Sequence, residues 1–354
     1  MLTRKQFIGR LAMIGVGGAA IGLGSSSMAA SAGPNGKADA APSAWPIPNP
    51  APLRAGDTIG LTSPSGFLLP EEMGPAIKIL QDWGFKVKIG NAVGKRDGTF
   101  GGTDAERLAD FQAMLDDESI KAVLCVRGGY GFVRIIDQLS LEKLRTNPKW
   151  LIGFSDITTL HSHIHAKLGM PTIHSKMCGG FPADVAKASA IEIESMQSIR
   201  KALTGQVIEY TVPWNEHNRD GSGSGVVVGG NLRTLETLAG TASQMNTDGK
   251  ILFLEDVGEY TYSVDRMFWN MKRTGMLSKL AGLIIGGFDI KADDGNDLPF
   301  EMDIYKIVLE KVQEYRYPVC FEFPVGHQAF NMAIKCGVAH QLMVSAGVPL
   351  FRQV

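Results

Sequence analysis

The sequence predicts an α/β fold with a parallel sheet. Three observations favour this class. Apolar runs of strand length alternate with helical spacings, clusters of turn residues follow the runs, and glycine, at 42 of 354 residues, exceeds its usual share of roughly 7%. A helix between two strands returns the chain to the edge where it started, so consecutive strands of this kind pair in parallel. We expect one α/β unit in each half of the chain.

In the first half, each predicted strand is followed by a helix. The strands are expected at 57–61, 85–89, 122–126 and 150–152. Apolar residues at helical spacing follow at 71–83, 108–115, 135–139 and 157–168. The second of these helices starts after Thr103-Asp104-Ala105-Glu106, a capping-box pattern.

The second half repeats the alternation with more strand. Strands are expected at 225–228, 251–254, 280–288, 319–323 and 341–345, and helices at 231–238, 264–276 and 304–315. Between the halves, a helix near 186–203 and a polar stretch at 214–224 have a weaker pattern, which is typical of a connection between domains.

The first 32 residues have the pattern of an export signal. Arg4, Lys5 and Arg10 accompany a short apolar run at 11–23, and Ala30-Ser31-Ala32 offers a cleavage site, which predicts a periplasmic protein. The start resembles a twin-arginine motif in which Lys5 replaces the second arginine. Because of this departure, the general secretory route stays open. The alternative to a cleaved signal is a membrane anchor that is never cleaved. We expect a signal at 1–32, a flexible leader at 33–52, an N-terminal domain at 53–175, a connection at 176–224 and a C-terminal domain at 225–354.

Charge and cysteine usage exclude several classes of function. The chain carries 35 basic and 36 acidic residues, a net charge of −1, which rules out nucleic-acid binding through bulk electrostatics. The cysteines lack the CxxC or CxxH spacing of a zinc site and are too few for a dense disulfide framework. We expect small, buried, unpaired side chains at Cys125, Cys178, Cys320 and Cys336.

Ser155 is the first candidate for chemistry. In Leu151-Ile152-Gly153-Phe154-Ser155-Asp156 it stands where an apolar strand turns into a helix. The free N–H groups and the positive dipole end of a helix N-terminus would favour a developing alkoxide or oxyanion there. This is the logic of a nucleophile elbow, although the final glycine of G-x-S-x-G is absent. A plain serine N-cap is the alternative.

The loop Arg127-Gly128-Gly129-Tyr130-Gly131 follows the preceding strand. Its backbone N–H groups are unobstructed by side chains and could hold an anion. Carboxyl ends of neighbouring parallel strands share one crevice, so this loop and Ser155 should face the same cleft. The glycine spacing does not fit a dinucleotide site. A turn that only connects strand to helix is the alternative.

A serine nucleophile needs a base, and histidine has the appropriate pKa. His327 follows an apolar strand on a Pro/Gly loop, and Glu255 ends the apolar run 251–254, where an acid could orient an imidazole. A surface turn and a salt bridge are the alternatives for these two residues. His161 and His165 stand four apart on a predicted helix, but no third ligand follows at metal-site spacing.

Taken together, these segments resemble the LD-carboxypeptidase family of serine peptidases over nearly all of residues 53–350. The resemblance rests on motifs in family order: Gly56-Asp57 with Ser63-Pro64-Ser65, Gly101-Gly102-Thr103-Asp104 with Glu106-Arg107, Val126 to Gly131, Gly153-Phe154-Ser155-Asp156, Gly229-Gly230-Asn231-Leu232, Leu254-Glu255-Asp256 with Asp265-Arg266, and Gly326-His327. One departure is His174-Ser175-Lys176-Met177, where the family often has His-Gly-Pro-Met.

The resemblance implies a flavodoxin-like N-terminal domain, a smaller α/β C-terminal domain and an active site between them. It implies Ser155 as nucleophile, His327 as base and Glu255 as the residue that orients it. The oxyanion hole would come from the N–H groups of Asp156 and of Gly128 or Gly129, with substrate contacts from Arg127, Tyr130 and Asn231. We expect the protein to form a homodimer. We expect no metal, cofactor, nucleic acid or stable membrane anchor.

The implied reaction is removal of the terminal D-Ala from a murein tetrapeptide through an acyl-enzyme. Arg127 would bind the free terminal carboxylate or, alternatively, bridge two loops. Two other functions stay open: hydrolysis of another peptide-like amide, such as a peptidyl-nucleotide antibiotic, and non-catalytic binding of muropeptides in the periplasm.

Overall fold

The computed structural model describes residues 48–291, 300–345 and 347–354. The predicted signal at 1–32 and the predicted leader up to residue 47 lie outside the described residues. The strands are β1 (Thr58–Thr62), β2 (Lys86–Ile89), β3 (Ile120–Cys125), β4 (Trp150–Gly153), β5 (Thr172–His174), β6 (Glu209–Thr211), β7 (Gly221–Asn231), β8 (Ile251–Tyr260), β9 (Gly282–Lys291), β10 (Val319–Cys320), β11 (Ile334–Cys336), β12 (Ala339–Val344) and β13 (Leu350–Gln353). The helices are α1 (Gly74–Asp82), α2 (Asp104–Asp116), α3 (Glu142–Thr146), α4 (Thr158–Leu168), α5 (Ala190–Leu203), α6 (Leu232–Thr237), α7 (Thr261–Arg273) and α8 (Ile304–Lys311).

The first sheet has the strand order β11-β5-β4-β3-β1-β2. The five strands β1 to β5 run parallel, which confirms the α/β class predicted from the alternation of strands and helices. β4 is buried along its whole length, as expected of a central parallel strand covered on both faces. The carboxyl ends of β3 and β4 lie side by side and carry the loops that begin at Val126 and Phe154.

Local signals in the first half account for one helix boundary and fail at another. Thr103 and Glu106 form the predicted capping box, in which Oγ1 of Thr103 accepts the N–H of Glu106 at 3.3 Å. The helix predicted at 135–139 is wrong, because the chain forms two short 3-10 turns there, Phe132–Arg134 and Ile136–Gln138. Apolar residues three and four apart face the core in a short turn as they do in a helix, so the spacing alone could not separate the two.

The second sheet has the order β10-β9-β8-β7-β12-β13-β6. β7 to β10 are parallel, and β12, β13 and β6 are antiparallel. The strand predicted at 319–323 ends at Cys320, since Glu322 has a φ of +54° that is incompatible with an extended strand. The short strands β5, β6, β11 and β13 were not predicted, because three or four residues do not establish a periodicity.

One apolar cluster runs through both sheets. It includes Ile59 and Ile152 from the first sheet, Phe253 and Leu342 from the second, and Ile199 from α5. The helix in the predicted connection is therefore part of the core. All four cysteines are buried and unpaired, as predicted. Across the described residues, no helix combines the length and the hydropathy that a bilayer span requires.

Candidate active site

Ser155 stands at a sharp turn directly after β4. It begins a single 3-10 turn, Ser155–Ile157, that leads into α4, and its φ is +64°. Among the described residues, only one other non-glycine residue has a positive φ. A left-handed conformation of this kind costs about 1–3 kcal/mol and persists where the surroundings impose it. The residues that cap the turn and α4 are Phe154 and Ile157, so Ser155 is not the N-cap that the sequence left open.

Three side chains form one continuous hydrogen-bonded chain. Nε2 of His327 lies 3.0 Å from Oγ of Ser155, and Nδ1 of His327 lies 2.6 Å from Oε2 of Glu255. A carboxylate accepts only, so Nδ1 carries the proton and Nε2 is free to accept the Oγ–H of the serine. Residues far apart in the sequence thus meet in the arrangement that a nucleophile, a base and an orienting acid require.

The surroundings of His327 raise the pKa of its imidazole. Burial alone would lower the pKa of His327, but the hydrogen bond and negative charge of Glu255 outweigh it and hold the pKa above its ordinary value of 6.5. Glu255 is fully buried, and its Oε1 has no hydrogen-bond partner among the described residues. The charge of Glu255 is therefore directed to the imidazole and to the backbone N–H of His327, which it accepts at 3.2 Å.

A glycine brings His327 and Glu255 together. Gly326 has a φ of +98°, and a Cβ at this position would collide with the side chain of Glu255. Its N–H donates to Oδ1 of Asn331 at 3.1 Å, which fixes the loop. The ring of Phe154 packs against the other side of the imidazole, with centroids 4.9 Å apart. The position of His327 therefore depends on a close backbone approach that the sequence did not identify.

The residues predicted to form the oxyanion hole lie close to Ser155. A Cβ on Gly128 would lie 2.9 Å from Cβ of Ser155, so the backbone of this loop passes directly against the serine. Asp156 is the second residue of the 3-10 turn, whose first N–H groups have no acceptor within the turn. Gly129 follows Gly128 with a φ of +97°. The sequence argument that this loop and Ser155 face one cleft agrees with these positions.

The side chain of Asp156 links the two loops. Its Oδ2 accepts the N–H of Phe132 at 2.8 Å, just beyond the glycine-rich loop. Burial raises the pKa of this carboxyl, and the hydrogen bond from the N–H of Phe132 opposes the rise. The sequence predicts a role only for the backbone of Asp156, because nothing local shows which partner its side chain meets.

The three predicted substrate contacts differ in how free they are. Arg127 is exposed, and its Nη1 donates to the carbonyl of Phe67 at 3.3 Å. Tyr130 is 57% exposed and lies near the ring of Phe100. Asn231 is buried and caps α6, where its Oδ1 accepts the N–H of Thr234 and its Nδ2 donates to Asp256. Arg127 and Tyr130 are thus accessible to a ligand, whereas Asn231 is engaged in structural contacts.

Two further histidines of the first half, His161 and His174, are buried and contact the residues that precede Ser155. Nε2 of His161 lies 2.9 Å from the carbonyl of Gly153, and burial lowers its pKa to about 4. His174 is fully buried between Phe154 and Phe253, and burial lowers its pKa well below 6.5. Within the described ranges, no three His, Cys, Asp or Glu side chains are grouped as a metal site.

Two cavities lie beside the hydrogen-bonded side chains of Ser155, His327 and Glu255. The first, of about 450 Å³, is lined by Asp289, Tyr305, Glu322 and His327 among others. The second, of about 380 Å³, is lined by residues that include Phe154 and Gly326, the immediate neighbours of the nucleophile and the base. Arg127 and Lys176 also line it. Gln328 lines both cavities, which therefore meet beside the loop of His327.

This chain is similar in sequence and structure to known proteins. Residues 59–175 match the model of the LD-carboxypeptidase N-terminal domain, and residues 224–342 match that of the C-terminal domain. The chain is 32% identical over 299 residues to a probable murein peptide carboxypeptidase of Bacillus subtilis, covering 81% of this chain and 89% of that protein. It is 26% identical over 316 residues to the microcin C7 self-immunity protein MccF of Escherichia coli, covering 81% of this chain and 91% of that protein. The crystal structure of a muramoyltetrapeptide carboxypeptidase from Oxalobacter formigenes is similar, with a TM-score of 0.74 at 25% identity, covering 84% of this chain and 98% of that one.

Proposed function

Since the chain belongs to the LD-carboxypeptidase family and is a serine-type carboxypeptidase, we propose that it removes the terminal D-Ala from murein tetrapeptides through an acyl-enzyme. The observation that carries the proposal is the hydrogen-bonded chain of Ser155, His327 and Glu255. The scissile amide would join an L-centre, lysine or diaminopimelate, to the D-residue.

In the first half-reaction, Oγ of Ser155 attacks the amide carbonyl while Nε2 of His327 takes its proton. The C–N bond then breaks, His327 returns the proton to the departing amine of D-Ala, and an ester to Ser155 remains. In the second, His327 activates a water that attacks the ester and regenerates the serine. Glu255 stabilises the imidazolium in both steps.

The oxyanion would be stabilised by backbone N–H groups, namely those of Asp156 and of Gly128 or Gly129. The proposal is supported by the close passage of Gly128 against Ser155, which leaves no room for a side chain between them. Fixed donors at such a site act where charge develops in the transition state, and each contributes roughly 10²–10³-fold in kcat.

A carboxypeptidase also has to recognise a free carboxylate. Arg127 is the candidate because its guanidinium lines the second cavity and has only one hydrogen bond to the protein among the described residues. A guanidinium binds a carboxylate in a bidentate manner. The contact between Arg127 and the carbonyl of Phe67 supports the alternative, a bridge between two loops.

The test compares three peptides by liquid chromatography: the tetrapeptide that ends in D-Ala, its C-terminal amide, and the version that ends in L-Ala. The first should be cut to the tripeptide and the other two poorly, because an amide leaves the cationic site unpaired. Equal cleavage of all three would contradict a carboxypeptidase specific for D-residues.

Hydrolysis of another peptide-like amide is the second candidate. It is favoured by the similarity to the protein named microcin C7 self-immunity protein. The same serine chemistry would serve both, so a peptidyl-nucleotide substrate should be assayed beside the tetrapeptide. Faster turnover of the peptidyl nucleotide would assign the chain to this activity.

The place of action would be the periplasm. The charged start, the apolar run 11–23 and Ala30-Ser31-Ala32 support export and cleavage after Ala32. Mass analysis of the secreted protein should find a chain that starts at Gly33. Recovery of the intact Met1 terminus from the cytosol would contradict export.

A further inference from the structure

The second cavity has features of a built anion site. It lies between the loop after β5 and the loop around His327, and Phe154 and Gly326 form part of its wall. A substrate group in this cavity is therefore adjacent to both Ser155 and His327. For a carboxypeptidase, the group that must lie next to the scissile bond is the terminal carboxylate.

Two cations line this cavity without a carboxylate partner. Neither Arg127 nor Lys176 forms an ion pair among the described residues. Glu72 also lines the cavity, but its carboxylate accepts the N–H of Leu69 at 2.9 Å. Burial lowers the pKa of Lys176, and the more distant charge of Glu192 opposes the drop. A partly desolvated cation that lacks a counter-charge favours binding of an anion.

Lys176 is held in place by the base loop itself. Its Nζ donates to the carbonyl of Ala329 at 2.8 Å, two residues after His327. An ammonium has three N–H donors, so donors remain for a ligand. Lys176 belongs to the segment in which this chain departs from the His-Gly-Pro-Met pattern. The departure thus adds a positive charge next to the catalytic histidine.

A neutral donor completes the cavity. Asn331 lines it and is fully buried. Oδ1 of Asn331 accepts the N–H of Gly326, whereas its Nδ2 has no partner among the described residues. A buried donor without an acceptor destabilises the protein unless a ligand or water satisfies it.

The first cavity is unsuited to the same group. Among the described residues it is lined by Asp289 and Glu322 and by no Lys or Arg. These carboxylates would repel a substrate carboxylate, whereas the second cavity has two cations and one carboxylate, so charge favours the second cavity for the terminal carboxylate.

We propose that the second cavity is the subsite for the free C-terminal carboxylate of the substrate, with Lys176 as a second cation beside Arg127 and the amide of Asn331 as a neutral donor. The proposal rests on the proposed function and names the residues that would give it selectivity for a free terminus.

The test measures kcat/KM for the tetrapeptide and for its C-terminal amide with the wild type, Lys176→Gln and Lys176→Arg. Lys176→Gln removes the charge but keeps a donor for Ala329, and it should raise KM for the free acid about 10- to 100-fold, as expected for loss of a hydrogen bond to a charged group. Activity on the amide should stay near that of the wild type, and Lys176→Arg should restore most of the selectivity. The control is Lys143→Met, which replaces an exposed lysine on α3 and should leave kcat/KM for both peptides unchanged.

Equal losses on both peptides would overturn the proposal, since they would mean that Lys176 only holds the base loop. An unchanged ratio of acid to amide activity in Lys176→Gln would overturn it as well. If the wild type cuts neither peptide, the proposed function fails, and binding then tests the cavity separately. NMR titration with D-alanine and D-alaninamide should show preference for the acid in the wild type and loss of that preference in Lys176→Gln; equal binding would reject the subsite.

Discussion

Ser155 and the pair of Glu255 and His327 are held in place in different ways. Ser155, at the end of β4, is presented by a strained backbone with a φ of +64°. Glu255 lies within β8, where the register with β9 shifts between Leu254 and Asp256, and His327 reaches it because Gly326 allows a close approach. Ser155 is thus fixed by its own strand end, whereas His327 is fixed by packing between distant segments. Substitutions on the two sides should therefore fail for different reasons.

The largest effect should come from the nucleophile side. Ser155→Ala removes the attacking oxygen, and kcat should fall by about 10⁶-fold while folding and peptide binding remain. Steady-state assays and calorimetry with the tetrapeptide would measure both. Ser162→Ala on α4 is a matched control, because it removes a buried hydroxyl that bonds only to Ser243 among the described residues. Near-normal turnover in Ser155→Ala would refute the assignment.

On the base side, Glu255→Gln should be milder. The variant keeps the nucleophile and base but loses the charge and the acceptor that fix the imidazole tautomer, so kcat should fall by up to about 10⁴-fold. Glu259→Gln, later in the same strand β8, tests whether any loss of charge there matters. A loss in Glu259→Gln as large as in Glu255→Gln would argue against a specific role for Glu255.

The close approach itself can be broken separately. Gly326→Ala would force a Cβ into Glu255 and displace His327, so activity should fall by about 10²-fold, the usual cost of a misplaced group. Gly56→Ala is the control, since Gly56 has a similar φ of +92° with nothing within 4 Å of its added Cβ. Thermal melts and kcat/KM for both would separate backbone strain, common to the two, from the contact with Glu255. Equal activity losses would show that strain alone matters.

The smallest expected effect concerns the pH dependence of activity, which reports the charge around His327. His327 acts as a base only when neutral, and its pKa lies above 6.5. The value of kcat/KM should therefore rise with pH through that pKa and be lost as the pH falls below it. In Glu255→Gln the largest opposing effect, burial, is no longer offset by the hydrogen bond and charge of Glu255, so the midpoint of the residual activity should move to lower pH. A midpoint that moves upward would contradict this account.

The sequence identified local features of the site and missed those that depend on contacts between distant segments. The loop 127–131 and Ser155 could be placed in one cleft because parallel strands share an edge. The residue types at 255 and 327 suggested an acid and a base, but the residues alone could not show that they meet Ser155, which is 172 positions from His327. The capping of α6 by Asn231, the contact of Lys176 with Ala329 and the close approach at Gly326 depend on tertiary packing, which no local pattern reports.

The strand β11 has a consequence for how the chain acquires its structure. Ile334 to Cys336 pair with β5 at the edge of the sheet that carries Ser155, and the paired residues His174 and Ile334 are 160 positions apart. Until this strand is in place, β5 presents an open edge to other molecules, and exposed edges promote aggregation. Contacts between such distant positions also slow folding. A fragment that ends before residue 334 should therefore associate with itself, and this edge of the sheet should be closed late in folding.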